Sequence, residues 1–257
     1  MRDKNVYAQT RREDLTALRN PDGDPVLLPL GGGREVSVSV RHSQRARRIL
    51  LHVGVYDGKV ELVLPPGASR REGLNFARTQ TRWISGQLAK IGGGVPFADG
   101  TAFPLLDRRI TIRRRDARSA LPVLCEDELL VGGRDDTLPA RVKRWVRSRA
   151  LEEIKPRAHR MGAEIGRLPV RISMRDTRSR WGSCSRAGNL NFSWRLVMAP
   201  EHVLEYVVAH EVAHLRELNH SDRFWAVVDT LCDDVPRARN WLRKHGAELH
   251  RYGRDMT

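Results

Sequence analysis

Cysteine is scarce: three residues among 257, at positions 125, 184 and 232. An odd number of well-separated cysteines encodes neither a disulfide framework nor a paired-cysteine zinc ribbon, and reduced thiols in a cytoplasmic protein are expected. Aromatic residues make up only 6% of the chain. No apolar run reaches about 18 residues, so no segment is expected to cross a membrane as a helix. Met1 to Leu18 is charged and has no apolar centre, which excludes reading it as a secretory leader. Lysine is sparse too, at 4, 59, 90, 143, 155 and 244, yet Lys and Arg together number 46 against 31 Asp and Glu. The formal net charge is +15 and rests on arginine. Such a charge is compatible with nucleotide or nucleic-acid contact through a basic surface. The basic residues are spread along the chain rather than gathered in a stripe, so a solvated arginine-rich surface is the other reading. With 40% hydrophobic and 30% charged residues, the composition is that of a globular chain, not a disordered one.

The pattern along the chain suggests an α+β protein. Residues 1–33 read as a flexible tail, because Asn20-Pro21-Asp22-Gly23 and Gly31-Gly32-Gly33 are turn or linker signals. Residues 34–134 read as a β-rich region. Val36, Val38 and Val40 alternate with polar residues. Ile49–Val55 and Val60–Leu64 are strand candidates with Asp57-Gly58 as the turn between them. Arg70–Lys90 reads as one helix that buries Leu74, Ala77, Trp83 and Leu88, and Gly92-Gly93-Gly94 stops it. More strands are expected at Ala102–Leu106, Arg109–Arg113 and Leu129–Val131.

Residues 135–257 read as a helical domain with a small antiparallel sheet. Leu138, Val142, Trp145, Val146 and Ile154 recur at helical spacing to about Met161, and Pro156 is a candidate kink. Val170, Ile172 and Met174 alternate as a strand, as do Leu190, Phe192 and Trp194. A helix is expected from Pro200 or Glu201 to about Leu218. A second follows the cap Ser221 and carries Phe224 and Trp225, and a third spans about Pro236–Leu249. No internal repeat is evident.

His210-Glu211-Val212-Ala213-His214 carries the chemistry. Side chains four apart on a helix share a face, so two imidazoles here can reach one zinc ion, with Glu211 bordering that face. Val203, Leu204, Val207, Val208, Val212 and Leu215 make the helix apolar enough to be buried. Buried imidazoles and a buried carboxylate need partners, and a metal supplies one. His220, six residues beyond His214, is the candidate third ligand. That spacing matches the H-E-x-x-H-x-x-G-x-x-H pattern, but Glu217 replaces its glycine, so the turn must be made differently, with Asn219 a candidate. The fourth position is left for a water whose proton Glu211 would take.

These residues resemble a known family, the YgjP-like zinc metallopeptidases, related to SprT-like and minigluzincin-type proteins. Arg180-Trp181-Gly182-Ser183-Cys184 looks like that family's R-W-G-S-C motif. Asn191, Trp194, Leu196 and Pro200 fit the strand and helix start that follow. Tyr206 to His214 fits its H-E-L-A-H helix, with Val212 in place of Leu, and Asn219-His220-Ser221 with Phe224-Trp225 fits its N-H-S-x-x-F-W. Arg45–Arg48, Leu64-Pro65-Pro66 and Arg82-Trp83-Ile84 extend the likeness, which covers roughly residues 36–245. The resemblance implies a zincin-like metallopeptidase domain at 135–257, Zn2+ held by His210, His214 and His220, and Glu211 as the catalytic base. It implies a peptide or protein substrate, although some members carry a nucleotide (UTP) pyrophosphatase label. SprT-like relatives act on DNA-bound proteins, an analogy that the basic charge permits.

Several residues near the motif admit two readings. The strand at Trp181, Gly182 and Ser183 could bind an extended peptide by its edge, or be a tight turn with Gly182 chosen for backbone geometry. Tyr206 could stabilise an oxyanion, though core packing is favoured. Cys184 reads as a small buried side chain, and His245 and His250 as solvated. Three functions follow: a zinc metallopeptidase, a zinc-dependent nucleotide pyrophosphatase, and a nucleic-acid-associated protein with structural zinc. The pyrophosphatase lacks a phosphate loop, and a structural site has no use for Glu211.

Overall fold

The computed structural model describes residues 24–54, 58–116 and 121–254. The chain forms two compact units that divide at Gly93–Gly94. The first unit begins with strand β1 (Val26–Gly31), which pairs antiparallel with β2 (Arg34–His42). Part of the expected tail is therefore sheet. Its glycines serve the hairpin: Gly31, Gly32 and Gly33 have φ of 88°, 61° and 73°, conformations that cost a residue with a Cβ. Strands β3 (Leu50–Val53) and β4 (Val60–Leu64) pair antiparallel, while β4 runs parallel to β2, giving the order β1-β2-β4-β3. Asp57, half of the expected turn, lies outside the described residues.

The helix expected over 70–90 is two helices, α1 (Arg70–Thr79) and α2 (Thr81–Ile91), joined at Gln80. Ser69 and Glu72 start α1 with a reciprocal capping box, which satisfies two otherwise orphaned N–H groups. The break re-aims the second half: Ile84 is buried, whereas Trp83 is 44% exposed. Leu28, Val38, Val40, Val60, Leu62, Leu64, Ala77 and Ile84 form this unit's core.

The second unit repeats the sheet plan. Strands β5 (Ala102–Leu105), β6 (Arg108–Arg115), β7 (Val123–Cys125) and β8 (Glu128–Gly132) lie in the order β5-β6-β8-β7, with β6 parallel to β8 and both outer pairs antiparallel. Strand β7 has no strong sequence signal. This sheet shares one core with the helices that follow, through Phe103, Ile110, Ile112, Leu129 and Val131. That shared core is why the boundary falls before the sheet.

Helix α3 (Leu138–Glu164) buries Leu138, Val142, Val146, Ala150, Ile154 and Ala158 and runs on past Pro156. Strands β9 (Arg171–Arg175), β10 (Gly182–Cys184) and β11 (Asn189–Ser193) form a small sheet in the order β10-β11-β9. It is mixed rather than antiparallel: β11 runs parallel to β9 and antiparallel to β10. Trp194, expected in the strand, opens a 3-10 helix over 194–198. Helices α4 (Glu201–Ala213), α5 (Asp222–Leu231) and α6 (Val235–Leu249) complete the unit. Among the described residues no helix is long and apolar enough to cross a membrane.

Candidate metal centre

Helix α4 is buried along nearly its whole length, as its run of valines and leucines requires. Its first N–H, that of Glu201, donates to Asp107 Oδ2 at 3.2 Å. Its outer face is tied to α3 by Arg157, whose guanidinium meets Glu153, Glu201 and Glu205. The helix ends earlier than expected. Ala213 is its last residue and His214 its C-cap, so the chain is free to turn before residue 220. The His214 ring Nδ1 lies 3.0 Å from the Glu217 carbonyl. With Nδ1 as the donor, Nε2 keeps its lone pair for a metal. Ser221 then caps α5, accepting from the Phe224 N–H at 3.4 Å, which places His220 back beside α4.

The three imidazoles meet. His210–His214, His214–His220 and His210–His220 ring centroids are 5.0, 4.9 and 5.0 Å apart. One ring nitrogen from each lies within 4.8 Å of the others. His210 Nε2 and His220 Nε2 are 3.1 Å apart, near the roughly 3.3 Å expected between two nitrogens on a tetrahedral zinc. Phe224 underlies all three rings at 4.9, 4.5 and 4.7 Å. Burial lowers the pKa of each histidine, with His210 pushed furthest. All three are thereby kept as neutral imidazoles, the ligating form.

Glu211 is 2% exposed, and its carboxyl has no hydrogen-bond partner among the described residues. Burial pushes its pKa up to about 8, opposed only by the charge of Arg180. A buried carboxyl so placed calls for a nearby cation. A divalent ion in the histidine triad would supply it, so the residues present fit a zinc ion in both geometry and charge.

Gly182 explains where Glu211 goes. A Cβ at Gly182 would lie 2.4 Å from Glu211 Cγ and 2.6 Å from its Oε1. The glycine is needed for close approach, not for an unusual turn. Strand β10 is an edge of the small sheet, so the R-W-G-S-C segment runs directly along the glutamate. Trp181 packs on Gly246 and on the His250 ring, 5.1 Å away. His250 is buried, not solvated, and its pKa is pushed down to about 4 by burial and by Arg195. Ser183 Oγ is 3.5 Å from Asn191 Nδ2. Tyr206 is fully buried with its ring centroid 6.0 Å from that of His210. Burial and the Glu211 charge raise the Cys184 thiol to about 11, the reverse of an activated nucleophile.

The YgjP-like metallopeptidase domain matches residues 47–245. The chain belongs to the YgjP-like family. The match starts in the first unit and ends in α6, so it takes in the triad, Glu211 and the Gly182 strand. Comparison with curated proteins and with solved structures gives no match. Sequence reasoning did not find the pairing of Gly182 with Glu211, because that contact joins two segments through space. The only available signal was a glycine inside a motif beside a strand.

Proposed function

We propose that this YgjP-like protein is a zinc-dependent metallopeptidase-type hydrolase. The observation that carries this reading is the buried Glu211 carboxyl beside three converging neutral imidazoles, all on or next to one helix. His210, His214 and His220 would hold Zn2+, and the open side of the triad would admit water and substrate. Bound there, zinc supplies Lewis-acid chemistry, easing deprotonation of a water and polarising a carbonyl. Glu211 takes the proton from the attacking water at its carboxylate and delivers it to the leaving nitrogen. Gly182 lets that carboxylate sit against β10. The outer edge of β10, which pairs with no strand among the described residues, offers backbone N–H and C=O groups to an extended peptide, which holds the scissile bond near Glu211. Phe224 and Tyr206 keep water away from the back of the triad. A structural role for the metal would leave Glu211 as an unexplained cost in the core.

The test compares wild type with Glu211→Gln for bound zinc, cleavage of casein, and pyrophosphate release from UTP. Zinc in both proteins and casein cleavage reduced about 10²–10⁴-fold in the variant is the expected result. Pyrophosphate release lost in the variant, with casein untouched, would replace the peptidase with a nucleotide hydrolase. Zinc in both with neither activity would point to a structural metal.

A further inference from the structure

Two arginines bear on the site, Arg239 on the histidines and Arg180 on Glu211. Arg239, on α6, places its guanidinium over the Trp225 ring, 5.2 Å from the centroid. Trp225 in turn stacks on His220 at 6.0 Å and meets His210 at 5.9 Å. Arg180 lies two residues before Gly182, whose backbone abuts Glu211. The charge of Arg239 reaches His210 and His220, and that of Arg180 reaches Glu211. Neither makes an ion pair among the described residues. Arg157, Arg195, Arg108 and Arg113, by contrast, each meet a carboxylate.

Three neutral imidazoles, one carboxylate and a dication are already net positive. Two further cations oppose metal binding, a cost that an anionic ligand would offset. Building on the hydrolase reading, we propose that Arg180 and Arg239 form an anion-recognising rim and that the segment bound there is an acidic peptide, its Asp or Glu side chains meeting the two guanidiniums. A peptide is favoured over a nucleotide because Arg180 leads straight into the edge strand β10, along which an extended backbone would pass it. Guanidinium forks match carboxylates two bonds at a time.

The experiment uses full-length, zinc-loaded Glu211→Gln protein, which binds without cleaving. Fluorescein-labelled unstructured decapeptides that are Asp/Glu-rich, Asn/Gln-rich or Lys-rich are titrated by anisotropy. UTP and a single-stranded oligonucleotide serve as competitors. The acidic peptide is expected to bind about tenfold or more tighter than the neutral one, with the advantage shrinking at high salt. Adding Arg180→Gln or Arg239→Gln reduces the preference, and adding both removes it. Arg239→Lys, which keeps the charge, retains part of it. Arg180 is exposed, so its variant keeps the test alive if Arg239→Gln loses zinc or folds poorly. Equal binding of acidic and neutral peptides, a preference untouched by the arginine variants, or tighter binding of UTP or the oligonucleotide overturns the proposal. Casein cleavage by wild type judges the hydrolase separately. Cleavage without acidic preference removes only this proposal, and acidic preference without cleavage removes only the hydrolase.

Discussion

The sheet of residues 26–64 and the sheet of residues 102–132 have the same strand order and the same strand directions, but the cores they belong to differ in kind. Among the described residues of the first unit, the buried side chains are apolar. In the second unit the buried set also includes Ser193, Arg195, His210, Glu211 and His250. Burying an ionisable group costs stability unless it is paired. Arg195 is paired with Asp176, which also receives Lys143 at 3.0 Å. His210 and His220 meet with His214 in the triad, His250 packs on Trp181, and the Glu211 carboxyl has no hydrogen-bond partner among the described residues. The difference teaches that one core is built from apolar packing alone, while the other also buries ionisable groups, those of the candidate metal centre among them.

The largest effect that sharpens this contrast belongs to the packing core. Leu62 is fully buried in the first unit, and Leu62→Ala should cost about 2–5 kcal/mol without lowering zinc content. Thermal melting and metal analysis of the same sample check both halves. Loss of zinc in that variant would break the separation of roles.

His250 comes next. Its pKa is about 4 in the fold and near 6.5 in the unfolded chain, so the unfolded state binds more protons between those values. Stability is therefore present in full above about pH 6.5 and is lost as pH falls towards 4, by about 3 kcal/mol in all. Denaturant melts across that range should show the slope in wild type and a shallower one in His250→Gln. Equal slopes would mean His250 is not kept neutral by burial.

A matched pair of glycine substitutions is the sharpest contrast. Gly182→Ala drives a Cβ into Glu211, and misplacement of a catalytic group on the order of 1 Å costs about 10²-fold in rate. Casein cleavage should fall by that much with zinc retained. Gly86, inside α2 of the first unit, has open space where a Cβ would be. Gly86→Ala should stabilise by up to about 1 kcal/mol, the smallest effect, readable as a rise in melting temperature.

How far the sequence predicted these features depended on whether a signal was local. The apolar run around His210 and Glu211 marked a buried helix, and Ser221 marked the cap that returns His220. Alternating valines marked β2, and Val60–Leu64 marked β4. Features set by distant partners were hidden. The three-residue β7 borrows its pairing from β8, and of the two readings of Gly31-Gly32-Gly33, turn or linker, the pairing of β1 with β2 selects the turn. Trp83 fits a helical stripe, but the break at Gln80 rotates it outward. His250 lies at the end of a polar-looking helix, and its burial depends on Trp181. Arg239 could not be linked to the triad without Trp225 between them.

The central claim is that His210, His214 and His220 hold one metal ion, and zinc content by mass spectrometry tests it most directly. Wild type should carry about one zinc per chain. His214→Ala and His220→Ala should lose it, while His52→Ala and His159→Ala, which are not part of the triad, should keep it. Zinc absent from wild type, or retained by both triad variants, would contradict the account.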